Sequence, residues 1–155
     1  MPTMIESRLA ELGIELPAAA APAANYVPYV RSGTQVIISG QLPMQDGKVA
    51  VTGKLGAEVD LATGQAAARL CAINILAQLR NALDGNFNRV VRCVRLGGFV
   101  ACTPDFTDQP KVINGASDLM VGVLGDAGRH ARVAVGAPVL PLNAAVEIDA
   151  IFEVA

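Results

Sequence analysis

The chain of 155 residues has no tryptophan, one histidine, two tyrosines and four phenylalanines. Charged residues make up only 17% of it, with a formal net charge of -2. A nucleic-acid surface needs basic residues interleaved with stacking aromatics, and the sequence has no such run. The three cysteines, Cys71, Cys93 and Cys102, are odd in number and show neither CxxC nor Cys/His spacing. They read as reduced, buried thiols of a cytoplasmic protein, and no metal site is expected. No apolar run approaches the ~18 residues of a membrane span. The start carries Glu6, Glu11 and Glu15 rather than a basic region followed by an apolar stretch, so no signal peptide is expected.

What the chain does have is apolar residues, 52% of the total. Its length predicts one domain that buries roughly two-thirds of the unfolded surface. Low charge on so small a domain implies that some apolar surface is covered by another subunit.

Met4 to Leu12 reads as a short helix, with Ile5, Leu9 and Leu12 on one stripe and Gly13 as its stop. Leu16 to Pro28 is Ala/Pro-rich and reads as a tether lying on the body. Residues 1–24 are taken as an extension, and 25–155 as the domain. Gln35 to Pro43 is the first clear strand. Three β-branched residues in a row, Val36, Ile37 and Ile38, predict burial on both faces. Asp46-Gly47 is a hairpin signal, with Val49 to Thr52 returning. Asp60 caps a long helix from Leu61 to Leu83, ended by Gly85. Arg89 to Thr103 is the longest strand, with Arg89, Arg92 and Arg95 on its exposed side and a bend at Gly97-Gly98. A second helix is predicted from about Lys111 to Leu124, with Asn114 in its first turn, facing a cleft or capping locally.

The last stretch carries the charged constellation. Ala131 to Val135 and Ala145 to Phe152 read as two strands joined by a Pro-containing loop. Arg132 and Ala134 share one face, and Val133 and Val135 the other. Val146, Ile148, Ala150 and Phe152 point one way; Ala145, Glu147, Asp149 and Ile151 point the other. Arg132 with one or both carboxylates is either a site or a solvated cross-strand ion pair. His130 reads as a loop residue. The resulting order is ββαβαββ with hairpins at both ends. It predicts an α+β two-layer sandwich, one mixed sheet with two helices on one face. The other sheet face needs a cover, and self-association is the economical one.

Three motifs in this order resemble the Rid/YjgF family of reactive-intermediate deaminases, which have a chorismate-mutase-like fold. They are Ile38-Ser39-Gly40-Gln41-Leu42-Pro43; Asp105-Phe106 followed by Asn114; and Ala131-Arg132, then Leu140-Pro141, then Val146 to Ile151. The resemblance implies a homotrimer with clefts between subunits and no cofactor. It implies hydrolysis of enamines and 2-imino acids to 2-keto acids and ammonia. Arg132 would hold the substrate carboxylate, since a guanidinium matches a planar carboxylate in bidentate fashion. The Gly40 carbonyl and Ala134 amide would flank the reacting centre, Glu147 would position water or shuttle a proton, and Tyr29, Ser39 and Asn114 would line the cleft. Ala134 stands where deaminase members commonly have cysteine, and Gly136 and Pro138 replace bulkier or polar residues. Two alternatives follow: a non-catalytic trimer binding small carboxylate metabolites through Arg132, and a ribonuclease or translation inhibitor. Negative charge, one histidine and the lack of a basic-aromatic surface argue against the latter.

Overall fold

The computed structural model describes residues 2–21 and 25–155. The boundary expected at residue 24 lies outside the described residues. Helix α1 spans Met4–Glu11, closed at its start by a reciprocal capping box between Thr3 and Glu6. Its Ile5 and Leu9 are buried, and Arg8 Nη1 reaches the carbonyl of Val123 at 3.4 Å. The tether then follows the long helix: Arg80 donates to the carbonyl of Pro17 at 2.6 Å, and Gln78 to that of Ala20 at 2.7 Å.

Strands β1 (Tyr29–Ser32) and β2 (Gln35–Gln41) form the opening hairpin, with Gly33 at positive φ in its turn. The hairpin predicted around Asp46-Gly47 is a separate small ribbon of β3 (Met44–Gln45) and β4 (Lys48–Val49). The return strand therefore ends at Val49, and Thr52 makes only an isolated bridge to Ala144. Helix α2 (Leu61–Ala82) starts where Asp60 accepts from the Thr63 amide. Gly64, in its first turn, leaves room for Leu55, whose Cδ1 would lie 2.9 Å from an added Cβ. Strand β5 (Val90–Ala101), helix α3 (Gln109–Leu124), strand β6 (Ala131–Ala137) and strand β7 (Val146–Val154) complete the chain.

The main sheet has the order β1-β2-β7-β5-β6. The expected hairpin of the last two strands is not formed. β6 pairs parallel with β5, and β7 crosses to lie antiparallel between β2 and β5. The reason is α3: a helix between two strands carries the chain across the sheet face, so the strands it joins run parallel. Helices α2 and α3 cover one face, in contact with each other. At their crossing Gly115 lies so close to the Gln65 carbonyl that any side chain would collide. Beneath them Val36, Ile38, Leu96, Val100, Ile148, Ala150 and Phe152 are essentially fully buried. On the other face Ile37, Val133 and Val135 remain 38–41% exposed. The burial of Ile37 expected from its β-branched run is thus not achieved within one chain. All three cysteines are free and buried. No described helix is long and apolar enough to cross a membrane.

Candidate functional site

β6 is an edge strand, and Arg132 lies near its start, opposite Leu96 on the helix side of the sheet. Its guanidinium lies along α3. Nη1 donates to Asn114 Oδ1 at 2.8 Å and to Ser117 Oγ at 3.1 Å, and Nη2 donates to the Pro110 carbonyl at 3.2 Å. Three of its five N–H donors are thereby used. All three acceptors are neutral, and no described carboxylate pairs with Arg132. The result is a cation held in one orientation with donors to spare, a geometry that suits an anion.

Asn114 lies in the second turn of α3, five residues beyond Gln109, and it serves Arg132 rather than a local cap. Ser117 and His130 complete a chain that the sequence did not reveal. His130 Nδ1 is 2.6 Å from the Gly128 carbonyl, so that nitrogen carries the proton. Nε2 then accepts from Ser117 Oγ at 2.8 Å, leaving the serine lone pairs for Arg132. Burial, first, and the Arg132 charge hold the His130 pKa below its ordinary value, against the Gly128 contact. His130 is therefore neutral at pH 7 and part of the Arg132 support, not an idle loop residue. Helical spacing of Asn114 and Ser117 (i, i+3) was the available signal.

Gly40 and Glu147 meet elsewhere. A register shift between Ile38 and Gln41 bends β2 against β7. There a Cβ on Gly40 would sit 2.8 Å from Glu147 Oε2. Glycine is the residue that lets the carboxylate approach this backbone. Glu147 is half-buried, and no described group hydrogen-bonds it. Burial raises its pKa, and the Asp149 charge adds to the rise. Ser39 stands beside this pair in sequence; its Oγ donates to the Val27 carbonyl at 2.7 Å. Tyr29 is placed apart, opposite Ile38 on the helix side, with its hydroxyl 3.4 Å from Asn81 Nδ2.

Arg132 and Glu147 do not form the cross-strand pair that their strands suggested. β5 lies between them, with Leu96 opposite Arg132 and Phe99 opposite Glu147. Their side chains leave opposite sheet faces, with backbones on the order of 14 Å apart. The cross-strand pair is Arg95 with Asp149 at 3.3 Å. It lies over Gly97, where an added Cβ would collide with Asp149. Arg89 and Arg92 instead donate to the carbonyls of Ala155 and Arg129. Ala134 is two residues beyond Arg132 on the same face, partly buried against the core. Among the described residues the sequence-predicted site residues thus fall into two separate groups: Arg132, Asn114 and Ala134 at the sheet edge, and Gly40, Ser39 and Glu147 on the open face. No described cluster of His, Cys, Asp and Glu could hold a metal ion.

Residues 6–154 match the family model described as "YjgF/chorismate mutase-like, putative endoribonuclease". The chain is 53% identical over 150 residues to Protein TCP17 of Trypanosoma cruzi, covering 96% of this chain and 93% of that protein. It is 56% identical to the protein Atu1372, of unknown function, from Agrobacterium tumefaciens. The TM-score with that crystal structure is 0.92, over 98% of this chain and 93% of the other. A crystal structure described as "a putative endoribonuclease" from Shewanella oneidensis MR-1 superposes with a TM-score of 0.94 at 39% identity, covering 98% of this chain and all of the other. A match across nearly the whole chain, joined to a mixed sheet under two helices, makes this protein a member of the YjgF/chorismate mutase-like family.

Proposed function

We propose that the protein hydrolyses reactive 2-imino acids and their enamine tautomers to 2-keto acids and ammonium, at a cleft between subunits of a trimer. The observation that carries this reading is the unpaired, pre-oriented Arg132. Its two spare N–H donors suit a substrate carboxylate, and its neutral supports leave the positive charge uncompensated. In the reaction, the oxygen of water attacks the iminium carbon. A carbinolamine forms, the C–N bond breaks, and the nitrogen leaves as ammonium while the oxygen becomes the keto oxygen. No oxidant or reductant is consumed.

The chemistry needs a fixed carboxylate, an oriented water and a proton carrier. Arg132 serves the first. Glu147 serves the other two: it lies free beside the Gly40 backbone, and its raised pKa brings it nearer the working pH. Because these groups leave opposite faces of one sheet, the reading requires a neighbouring copy to bring its open face to the Arg132 edge. The exposed valines and Ile37 of that face favour such packing.

A coupled assay tests this. An amino-acid oxidase generates the imino acid, semicarbazide traps it, and added protein should suppress the trapped product. Arg132→Ala should lose about a hundredfold in kcat/KM, the size of a lost charge contact. Full suppression by Arg132→Ala would remove Arg132 from the mechanism. No suppression with any side-chain size would favour the carboxylate-binding reading, for which the alanine at position 134 speaks.

A further inference from the structure

Ser117 and His130 are arranged more closely than the support of a guanidinium requires. Asn114 and the Pro110 carbonyl serve Arg132 only by accepting. Ser117 also accepts from Arg132, at 3.1 Å, but its own proton is aimed at a base, His130 Nε2, at 2.8 Å. That base is oriented in turn. Nδ1 donates to the Gly128 carbonyl at 2.6 Å, which puts the ring lone pair on Nε2. A hydroxyl, a base within hydrogen-bond reach and a third group that orients the base make up the geometry of an activated nucleophile.

The fold builds this arrangement from two places. Ser117 is in the middle of α3, and His130 lies just before β6. The loop between them is pressed on the helix at Gly128, where an added Cβ would collide with the Met120 carbonyl. Met120 is one turn beyond Ser117 on α3, so this contact brings His130 to the turn that carries the hydroxyl.

The pair opens to solvent. A shallow pocket of about 300 Å³ is lined by Ser117, His130 and Arg132, with Asp118, Val121 and Arg129 around them. Asp118 and Arg129 are exposed at its rim. Among the described residues Val121 is its one aliphatic wall, which suits a short acyl group rather than a long chain. Arg132 supplies what acyl transfer needs at the oxygens. Its contact with Ser117 Oγ stabilises the negative charge that develops as the proton leaves. Its two unspent N–H donors suit a carbonyl oxygen that becomes an oxyanion. The serine oxygen has two lone pairs, and Arg132 takes one, which leaves the other for attack. His130 is neutral at pH 7, burial and the Arg132 charge lowering its pKa, and so is ready to take a proton.

We propose that Ser117 is a nucleophile activated by His130 and that the protein has a second activity, the hydrolysis of short-chain carboxylic esters. The inference does not rest on the deaminase reading. Ser117 Oγ attacks the ester carbonyl carbon, and its proton passes to His130 Nε2. The tetrahedral intermediate expels the alcohol, which leaves with that proton, and the acyl group remains on Ser117. Water then attacks the acyl carbon and gives a proton to His130. The bond from that carbon to Oγ breaks, the carboxylic acid leaves, and the proton returns to the serine.

The test uses the full chain with 4-nitrophenyl acetate. The expected result is an initial burst of 4-nitrophenolate, with an acetyl group on Ser117 found by peptide mass spectrometry after an acid quench. His130→Gln keeps the serine and should slow the burst about a hundredfold, the size of a lost general base. Ser117→Ala should remove both the burst and the acetylated peptide. Acetyl groups confined to lysines, or a burst that Ser117→Ala leaves in place, overturns the assignment. So does acetylation of Ser117 at a rate that His130→Gln leaves unchanged. Should Ser117→Ala fail to fold, the peptide map of the unaltered protein still decides. His130-dependent acetylation of Ser117 in a protein that deaminates no imine leaves this assignment standing, and the deaminase reading alone falls.

Discussion

The two faces of the main sheet are made by the same strands and end differently. On the helix side Val36, Ile38, Ile148 and Phe152 are sealed by α2 and α3. On the open side their immediate neighbours Ile37, Glu147 and Asp149 stay partly accessible, together with Val133 and Val135. Alternation alone puts comparable numbers of apolar groups on each face. The centre of the closed face is filled by packing residues, with Arg132 and Tyr29 only on its two edge strands, whereas the open face mixes apolar groups with an ion pair and a half-buried carboxylate. A face finished within the chain is stability; a face left unfinished, with a half-buried carboxylate among apolar groups, is where the proposed function would bring a second copy and the chemistry together.

The largest effect should come from breaking the closed face. Phe152→Ala would leave a cavity under α2 and cost about 3–5 kcal/mol, read from the midpoint of chemical denaturation. The loss of activity expected for Arg132→Ala comes next, without a comparable loss of stability, because its partners are partly exposed at the sheet edge. Breaking the open face should give the opposite signature to Phe152→Ala. If the proposed trimer packs on this face, Val133→Asp should disperse it, with a fall in mass by light scattering, while secondary structure by circular dichroism is retained.

Acid should act on the edge group through His130. Its folded-state pKa lies below the ordinary ~6.5. The unfolded chain therefore takes up the proton first. The stability that goes with neutral His130 is complete above about pH 6.5 and is lost as pH falls through the lower folded-state value. Activity should fall over the same range, because a protonated ring next to Arg132 repels it. His130→Gln should flatten that acid limb in a pH profile of kcat/KM. The smallest effect should be that of Asp149→Asn. Its pair with Arg95 is 40–41% exposed, so the stability change should stay under about 1 kcal/mol. The Glu147 titration, followed by carboxyl NMR, should move to lower pH as the neighbouring charge disappears.

Much of the fold was legible because the signals were local. Asp60 as a cap, Gly85 as a stop and the apolar periods of α2 and α3 depend only on near neighbours in the chain. The facing of Val146 to Phe152 was equally legible, since a strand has period two. Arg132 and Glu147 stood out by their chemistry, but their relation did not. Reading β6 and β7 as a hairpin put them in register, although α3 between β5 and β6 already called for a parallel pair there. The support of Arg132 by Ser117 and His130 was hidden for a different reason. A serine within a helix carries no mark of its partner, and only the docking of α3 on β6 turns Ser117 toward the guanidinium.

By itself, then, the sequence determined which segments are helix and strand, which residues of each strand go inward, and which charged groups are out of place among apolar neighbours. These follow from backbone periodicity and the cost of burying charge. Tertiary structure alone decided that β5 separates Arg132 from Glu147, that Gly40 meets the carboxylate, and that Ser117 and His130 come together behind the guanidinium. Those depend on the order of strands in space, which is set by crossovers and packing and leaves no mark on any single segment.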